Sequence, residues 1–537
     1  MPVINIELED FNRMLKSPIS SDDFSIIIPK LGADPEEING NEAVVEFFPD
    51  RPDLLSTEGV ARALRAFTGQ ELGLVVYDTK PATTHIVVSP KVIPIRPFVL
   101  GGIVRNVKLD DIAIRCLMEL QEKLHVTIGR KRKKVSIGIH DLAKLKAPFN
   151  YSTCSPHEPA FVPLQKDYEM TPEEILNEHP KGMQYAHLLD GFKDYPLITD
   201  SNGEVASLPP IINGALTTLT EETKEILLDV TGLEQEAVEV CLNIVAAALV
   251  ERGGEIEQLE VRYPSEKIVV PRMEPKVHKI KNDYLVGLLG FDPGNFAIFK
   301  AFRKCAMEPD LKDNVWHVKV PAYRADILHP IDLLEEVAIG IGYEELPEHL
   351  PQESRFGEGL ESRKLENRCR ETMLGIGFQE VVTLTLTSTK MLHENTGRES
   401  ENEAAVSHPV TEDYHLLRSS ILPNLLELLS SNRHHELPQR VFEIGQVVKE
   451  HSNRISLAWM ELASKGTFSK ARTTAESIAH RLGVSDKAVD EDDPLFISGR
   501  CAQIKTEDIT LTYGEIHPNT LEKFELGYPA IGGEIHW

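Results

Sequence analysis

The chain has 537 residues, 41% hydrophobic and 26% charged, which is the composition of a folded globular protein and excludes disordered and fibrous classes. At roughly 150 residues per domain the length corresponds to about three to four domains. Its 57 basic and 84 acidic residues give a net charge of −27, which repels phosphate at long range, so a nucleic-acid role must rest on a local basic patch or on a partner.

The start, Met1 to Asp10, is acidic and lacks the basic n-region of a signal peptide. Ile4 to Leu8 reads as a strand and Glu9 to Leu15 as a short helix. A turn-rich stretch, Pro29 to Pro35, and a strand, Ala43 to Phe48, follow. After Pro49-Asp50-Arg51-Pro52-Asp53 a helix carries Val60, Leu64 and Phe67 on one face and closes at Gly69. These elements make an N-terminal domain, 1–85. Pro81 to Pro97 reads as an extended link into a second domain, 95–262.

In that domain Phe98 to Val104 reads as a strand. The next helix carries Ala113, Leu117, Leu120 and Leu124 at helical spacing. The basic run Arg130-Lys131-Arg132-Lys133-Lys134 precedes an alternating strand with Val135, Ile137 and Ile139. Thr171-Pro172-Glu173-Glu174 holds three helix-start signals: a Thr cap, Pro in the first turn and Glu three residues on. A long helix from about Glu234 ends at Gly253-Gly254, and Ile256, Leu259 and Val261 suggest a last strand. Its apolar stretch, Cys241 to Val250, is interrupted by Asn243 and is far short of the ~20 residues that span a bilayer.

A linker from Arg262 to Pro275 leads to a small domain, 269–346, with helices around Asp283 to Leu289 and Ile331 to Ile341. A Pro- and Gly-rich linker, 347–359, precedes the last domain, 355–537. That domain mixes helices with strands at Glu380 to Leu386, Arg440 to Val448 and Thr510 to Glu515. Six scattered cysteines include no CxxC pair, which argues against a zinc site or a disulfide framework. The expectation is a soluble cytoplasmic protein with no membrane partner.

The sharpest constellation runs from Asp326 to Val337. A helix starting near Asp332 places Asp332, Glu335 and Glu336 on one face, and Asp326 can fold back from the preceding loop. Like charges at this spacing repel, and a hard cation such as Mg2+ relieves that repulsion. Acidic residues in a first helical turn also simply complement the helix dipole; spacing leaves both open. The basic run 130–134 suits either a phosphate backbone or a solvated turn. Two polar segments, Ser207 to Gly214 and Leu228 to Gly232, could line a pocket or serve as turn caps. His140-Asp141 could do acid–base work or end a strand. No phosphate loop of GxxxxGK[ST] type and no Rossmann fingerprint occurs.

Phe48-Pro49-Asp50-Arg51-Pro52-Asp53-Leu54-Leu55-Ser56, with Glu58-Gly59-Val60-Ala61-Arg62, resembles the beta subunit of phenylalanyl-tRNA synthetase of the archaeal/eukaryotic type. The resemblance continues through Gly129 to Leu142, Ser207 to Asn213 and the Asp326–Glu336 constellation. It extends to Leu417-Arg418-Ser419-Ser420-Ile421-Leu422-Pro423 and Phe442-Glu443-Ile444-Gly445. Six blocks in the family's order span most of the chain.

The resemblance implies an α2β2 enzyme that joins phenylalanine to its tRNA with ATP and Mg2+. Amino-acid activation, with phenylalanine and ATP, would sit in the alpha subunit. It also implies a multidomain α+β fold. That fold would comprise an N-terminal domain, an editing domain, a small helical domain of DNA-binding-like fold, and a class II synthetase-like antiparallel sheet that packs against alpha. Asp326, Asp332, Glu335 and Glu336 look like the family's Mg2+ ligands. Ser207, Asn213, Asp229 and Thr231 look like contacts of a pocket that hydrolyses mischarged tyrosyl-tRNA. Arg440-Val441-Phe442-Glu443 resembles a degenerate second class II motif, and Leu526 to Trp537 has glycines but no closing arginine. Without that guanidinium little offsets a triphosphate's charge, so the domain is expected to be inactive in activation. The anticodon-binding domain of the longer bacterial type is expected to be absent. Two rivals stand beside this reading: an RNA-binding scaffold made of synthetase-derived domains, and a free-standing deacylase of mischarged tRNA.

Overall fold

The structure is a computed structural model and describes residues 2–350, 357–400, 403–484, 487–507 and 509–537. Met1 and residues 351–356 of the second linker, where the last domain was expected to begin, lie outside them. Two compact units divide the chain, Met1–Leu350 and Pro351–Trp537. The fold is α+β and multidomain.

The first unit begins with an antiparallel sheet in the spatial order Val3–Glu7, Glu42–Phe47, Ala33–Asn39. Alternation in Glu42–Phe47 turns Ala43, Val45 and Phe47 inward. The stretch 29–35 was expected as turns; it is a short 3-10 helix, Ile28–Leu31, and the start of the strand Ala33–Asn39. Pro35 is tolerated because that strand lies at the sheet edge. The helix Thr57–Phe67 starts at Ser56, whose hydroxyl accepts the Gly59 N–H at 3.0 Å.

A large sheet follows. Its spatial order is Ile212–Asn213, Val205–Leu208, Tyr195–Thr199, Phe149–Cys154, His85–Val88, Glu255–Arg262, Phe98–Arg105, Glu225–Gly232, Val135–Asp141. The supposed link 81–97 therefore contains a central strand. His85–Val88 pairs in parallel with two neighbours and buries Ile86 and Val88; its alternating apolar residues outweigh the flanking prolines. The sheet curls until its ends approach: Ser207, near one end, bonds Asp229, near the other, at 3.1 Å. The helix Gln235–Glu251 packs under strands Phe98–Arg105 and Glu225–Gly232. Its apolar stretch is thus core, and no helix among the described residues is long and apolar enough to cross a membrane.

The small domain has a sheet in the order Lys276–Lys281, Val315–Val320, Glu308–Lys312. Helices Asn282–Leu289, Asn295–Lys304 and Pro330–Ile341 enclose Leu285, Ile298, Phe302, Trp316 and Val337 with it.

The second unit is a seven-stranded, mostly antiparallel sheet. Its order is Gln379–Glu380, Gln439–Lys449, Ser452–Leu462, Ala530–His536, Thr510–Ile516, Phe496–Lys505, Val489–Asp490. Helices Glu361–Gly375, Leu422–Ser431 and Phe468–Arg481 flank it. The strand expected at 380–386 breaks into two short pieces, Gln379–Glu380 and Leu386–Thr387, which belong to different sheets.

Candidate functional site

Where the ends of the large sheet approach, a cavity of about 80 Å³ forms. Ser207, Asn213 and Asp229 line it together with Gln121, Arg132, Gly138 and Lys181. Three of the four residues expected as pocket contacts are therefore brought together. Ser207 and Asn213 face each other across a short antiparallel ladder. Asp229 sits on the neighbouring, curled-over part of the sheet, opposite Gly138.

Asp229 is 2% exposed. A buried carboxylate needs donors, and two reach the same oxygen. The Ser207 hydroxyl donates to Oδ2 at 3.1 Å. His140, fully buried, brings Nε2 to Oδ2 at 2.6 Å. The other ring nitrogen, Nδ1, lies 2.8 Å from the Thr217 hydroxyl. His140 thus pairs with Asp229 and not with Asp141, because adjacent residues on a strand point to opposite faces. Asp141 instead accepts the Ala143 N–H at 3.1 Å and the Thr223 hydroxyl at 3.1 Å. Gly138 makes the closeness possible. A Cβ there would come within 2.2 Å of Asp229 Oδ2 and 2.6 Å of His140 Nε2.

Thr231 is on the same strand but does not line the cavity. It is fully buried, and its hydroxyl accepts Arg96 Nε at 2.8 Å. Arg96 also donates to the carbonyls of Thr231, Arg132 and Lys133, at 2.8, 3.2 and 3.2 Å. Burial pulls its guanidinium down to about 10. Thr231 and Arg96 therefore hold the pocket wall from behind.

The basic run is neither a uniform cationic cluster nor simply solvated. Arg130, Lys131 and Arg132 all have positive φ (46°, 54° and 66°) and form a tight turn. Arg132 is buried, donates to Ile211 O at 2.8 Å and Glu122 Oε2 at 3.0 Å, and lies 4.5 Å from the Tyr185 ring centroid. Arg130, Lys131 and Lys133 are exposed. His125 accepts the Ile137 N–H through Nε2 at 2.8 Å, and burial pushes it down to about 4.

The carboxylates at 326–336 are arranged differently. Arg324 is buried and grips two of them. Its Nε and Nη2 donate to Asp326 at 2.8 and 2.5 Å, and its Nη2 and Nη1 donate to Glu336 at 2.6 and 3.2 Å. Asp326 is held down at about 2: burial alone would raise it, and Arg324 outweighs that. Asp332 accepts the backbone N–H groups of Leu328 and His329 at 2.7 and 2.6 Å, in a capping box. Glu335 is exposed; partial burial and the nearby Glu336, Asp332, Asp50 and Asp326 raise its carboxyl above the usual range. A Mg2+ ion needs several converging oxygens. Among the described residues, no three or more His, Cys, Asp or Glu side chains are arranged to hold a metal. As placed in this chain, the four residues do not fit a resident Mg2+; Arg324 supplies the positive charge.

The family profile described as the B3/4 domain matches residues 83–262, the tRNA synthetase B5 domain 278–343, and the phenylalanyl tRNA synthetase beta chain CLM domain 346–537. The chain is 40% identical over 541 residues to the phenylalanine–tRNA ligase beta subunit of Archaeoglobus fulgidus, covering 100% of this chain and 98% of that protein. It is 41% identical to that of Methanosarcina barkeri, with the same coverage, and 38% identical to that of Methanocaldococcus jannaschii, covering all of both. The chain belongs to the phenylalanine–tRNA ligase beta subunit family. A crystal structure of an N-terminal fragment of the phenylalanyl-tRNA synthetase beta subunit from Pyrococcus horikoshii is 35% identical. It covers 63% of this chain and 99% of its own, with a TM-score of 0.62.

As a family of aminoacyl-tRNA ligases, phenylalanine–tRNA ligase beta subunits raise the question of what the second unit can do. Its sheet bears a cleft of about 510 Å³ lined by Arg398, Lys449, Asp493, Glu534 and His536. Arg398 is held by Asp493, with Nε–Oδ1 3.0 Å and Nη2–Oδ2 2.5 Å. Glu534 accepts from the Ser420 hydroxyl, the Ile421 N–H and the Ser456 hydroxyl at 2.5, 2.8 and 2.7 Å. Burial pushes His536 down to about 4. Arg440 and Glu443 are also engaged internally, Arg440 with Glu461 at 3.1 Å and Glu443 with Arg418 at 2.7 Å.

His140, Thr217, Gly138, Arg96 and Arg324 are the residues that sequence reasoning missed or misassigned. Only strand register connects His140 with Asp229. Arg324 stood two positions before Asp326 in plain view, but spacing rules for carboxylates do not count the cation between them.

Proposed function

We propose that this chain is the non-activating beta subunit of a phenylalanine–tRNA ligase that works with an alpha subunit in an α2β2 tetramer in the cytoplasm. The alpha subunit takes phenylalanine, ATP and Mg2+ and charges the tRNA. This chain supports alpha through domain 355–537 and removes tyrosine from mischarged tRNA in domain 95–262; 1–85 and 269–346 complete the first unit. The names of its relatives support the partnership. The acidic groups of the second unit's cleft support the absence of activation. Glu534 stands there and the Arg398 guanidinium is already paired with Asp493, which leaves Lys449 with little help to hold a triphosphate.

One observation carries the editing role: Asp229, inside the cavity, has both protein donors on Oδ2, which leaves Oδ1 as an acceptor. A tyrosyl hydroxyl donates to that oxygen; phenylalanine has nothing to offer it and leaves Oδ1 without a partner as water is displaced. The exposed Arg130, Lys131 and Lys133 of the turn that carries Arg132 favour the phosphates of an approaching tRNA end. Water then attacks the ester carbonyl carbon. The bond to the ribose oxygen breaks, that oxygen takes a proton, and tyrosine leaves as the free acid.

The test is reconstitution with the alpha subunit of the same source. Phenylalanylation should need both chains, and hydrolysis of tyrosyl-tRNA should fall roughly ten- to a hundredfold in Asp229→Ala, the value of a hydrogen bond to a charged group. Full charging by alpha alone would overturn the partnership, and unchanged hydrolysis would overturn the editing role.

A further inference from the structure

We infer that His140 is a positioning residue of the pocket: through Asp229 it sets the preference for an amino acid that carries a hydroxyl. The inference rests on the editing role proposed above and adds to it a residue that never touches the substrate.

The Thr217 hydroxyl has one hydrogen and two acceptors in reach, His140 Nδ1 at 2.8 Å and Gly214 O at 3.3 Å. The shorter contact takes it. Nδ1 is then the acceptor, and Nε2 carries the ring hydrogen and donates to Asp229 Oδ2 at 2.6 Å. This tautomer is assigned from the network. The chain Thr217–His140–Asp229 is thus directional: each member donates to the next, and the last oxygen reached belongs to the cavity's carboxylate.

Position fixes the rest. His140 is fully buried and Thr217 is 1% exposed, so water does not replace either bond. His140 is absent from the cavity lining, whereas Asp229 belongs to it. The imidazole lies diagonally across the ladder from Asp229, over Gly138, where any side chain would collide with both groups. With two donors fixed on Oδ2, the carboxylate cannot turn without breaking a 2.6 Å bond. Oδ1 is therefore held in one place and kept as an acceptor. Remove the imidazole donor, and only the longer Ser207 bond remains. The carboxylate can then rotate, and the site loses the fixed acceptor that separates tyrosine from phenylalanine. The role is distinct from acid–base catalysis, because His140 has no path to the ester.

The test uses the α2β2 enzyme and measures hydrolysis of tyrosyl-tRNA and phenylalanyl-tRNA in parallel, with the ratio as readout. His140→Leu removes both ring bonds at similar bulk and should lower the tyrosine-to-phenylalanine ratio at least tenfold. His140→Gln restores an N–H donor and should recover most of that ratio, to within about threefold of wild type. Thr217→Val, a milder change, should lower the ratio severalfold and covers the case in which His140→Leu does not fold. A ratio within twofold of wild type in His140→Leu would overturn the inference. So would a Gln variant that falls as far as Leu, since a bulk-only role makes no use of the donor. Failure of the underlying reading looks different: wild type itself would hydrolyse tyrosyl-tRNA no faster than Asp229→Ala.

Discussion

The pocket at the curled sheet and the carboxylate cluster at 326–336 both place acidic groups under cover, and they resolve the resulting cost in opposite ways. Asp229 receives two donors on Oδ2, which leaves Oδ1 to the cavity. Asp326 and Glu336 are closed by a single arginine, and half-buried Asp332 takes two backbone N–H groups on Oδ2 as part of a capping box. The number of donors is two in each case; what differs is where they fall, one on each oxygen of Asp326 and of Glu336 but both on Oδ2 of Asp229. Counting acidic residues in the sequence does not separate the two cases; locating the donors on each oxygen does.

The largest effect should come from breaking the closed cluster. Arg324→Met leaves two carboxylates without their cation and should destabilise the first unit by about 3–5 kcal/mol, read in denaturant unfolding. A cluster that tolerates this change within 1 kcal/mol, roughly the worth of an exposed pair, would not be an arginine-closed joint.

Acid should then separate the regions. His125, on the wall of the pocket, is pushed from its usual 6.5 down to about 4 by burial. The unfolded chain binds the extra proton first, so the contribution of His125 is complete above about pH 6.5 and falls as pH drops to 4, by about 3 kcal/mol in all. Asp326, held at about 2, acts lower. Its contribution is present above the unfolded value of about 3.9 and is lost as pH falls through 2. The protection of the strand Val135–Asp141 against hydrogen exchange, after correction for the intrinsic rate at each pH, should fall between pH 6.5 and 4, and His125→Gln should flatten that slope.

A smaller effect tests the wall behind the pocket. Thr231→Val removes the acceptor of Arg96 Nε and should cost about 1–3 kcal/mol of stability. It should change hydrolysis of tyrosyl-tRNA much less than Asp229→Ala does. Equal losses in the two variants would return Thr231 to the role of a direct contact. The smallest effect is the absence of one: millimolar Mg2+ or EDTA should leave the unfolding midpoint of the wild-type chain in place. A midpoint that climbs with Mg2+ would show a cation bound to the native chain and would contradict the fit of Arg324.

Much of the fold was legible because it obeys local rules. Thr171 and Glu174 form the reciprocal capping box that their spacing announced, and Ala113, Leu117, Leu120 and Leu124 are all buried. The strand at His85–Val88 was lost between prolines, and the 380–386 region was read as one strand because periodicity says nothing about which sheet takes a residue. In the pocket, Ser207, Asn213 and Asp229 came from family resemblance. Thr231 was misplaced from contact to support, since alternate residues on one strand share a face but not a depth. His140 was invisible as a partner of Asp229 until register placed Gly138 opposite it.

The most direct test of the pocket is Asp229→Asn in the α2β2 enzyme, with tyrosyl- and phenylalanyl-tRNA hydrolysed side by side. The amide keeps the shape of the carboxylate. Its oxygen takes the two donors from Ser207 and His140 and leaves an NH2 where Oδ1 accepted. The tyrosine-to-phenylalanine ratio should fall at least tenfold while the unfolding midpoint stays near wild type. A ratio that stays at the wild-type value would contradict the claim that Asp229 reads the tyrosyl hydroxyl.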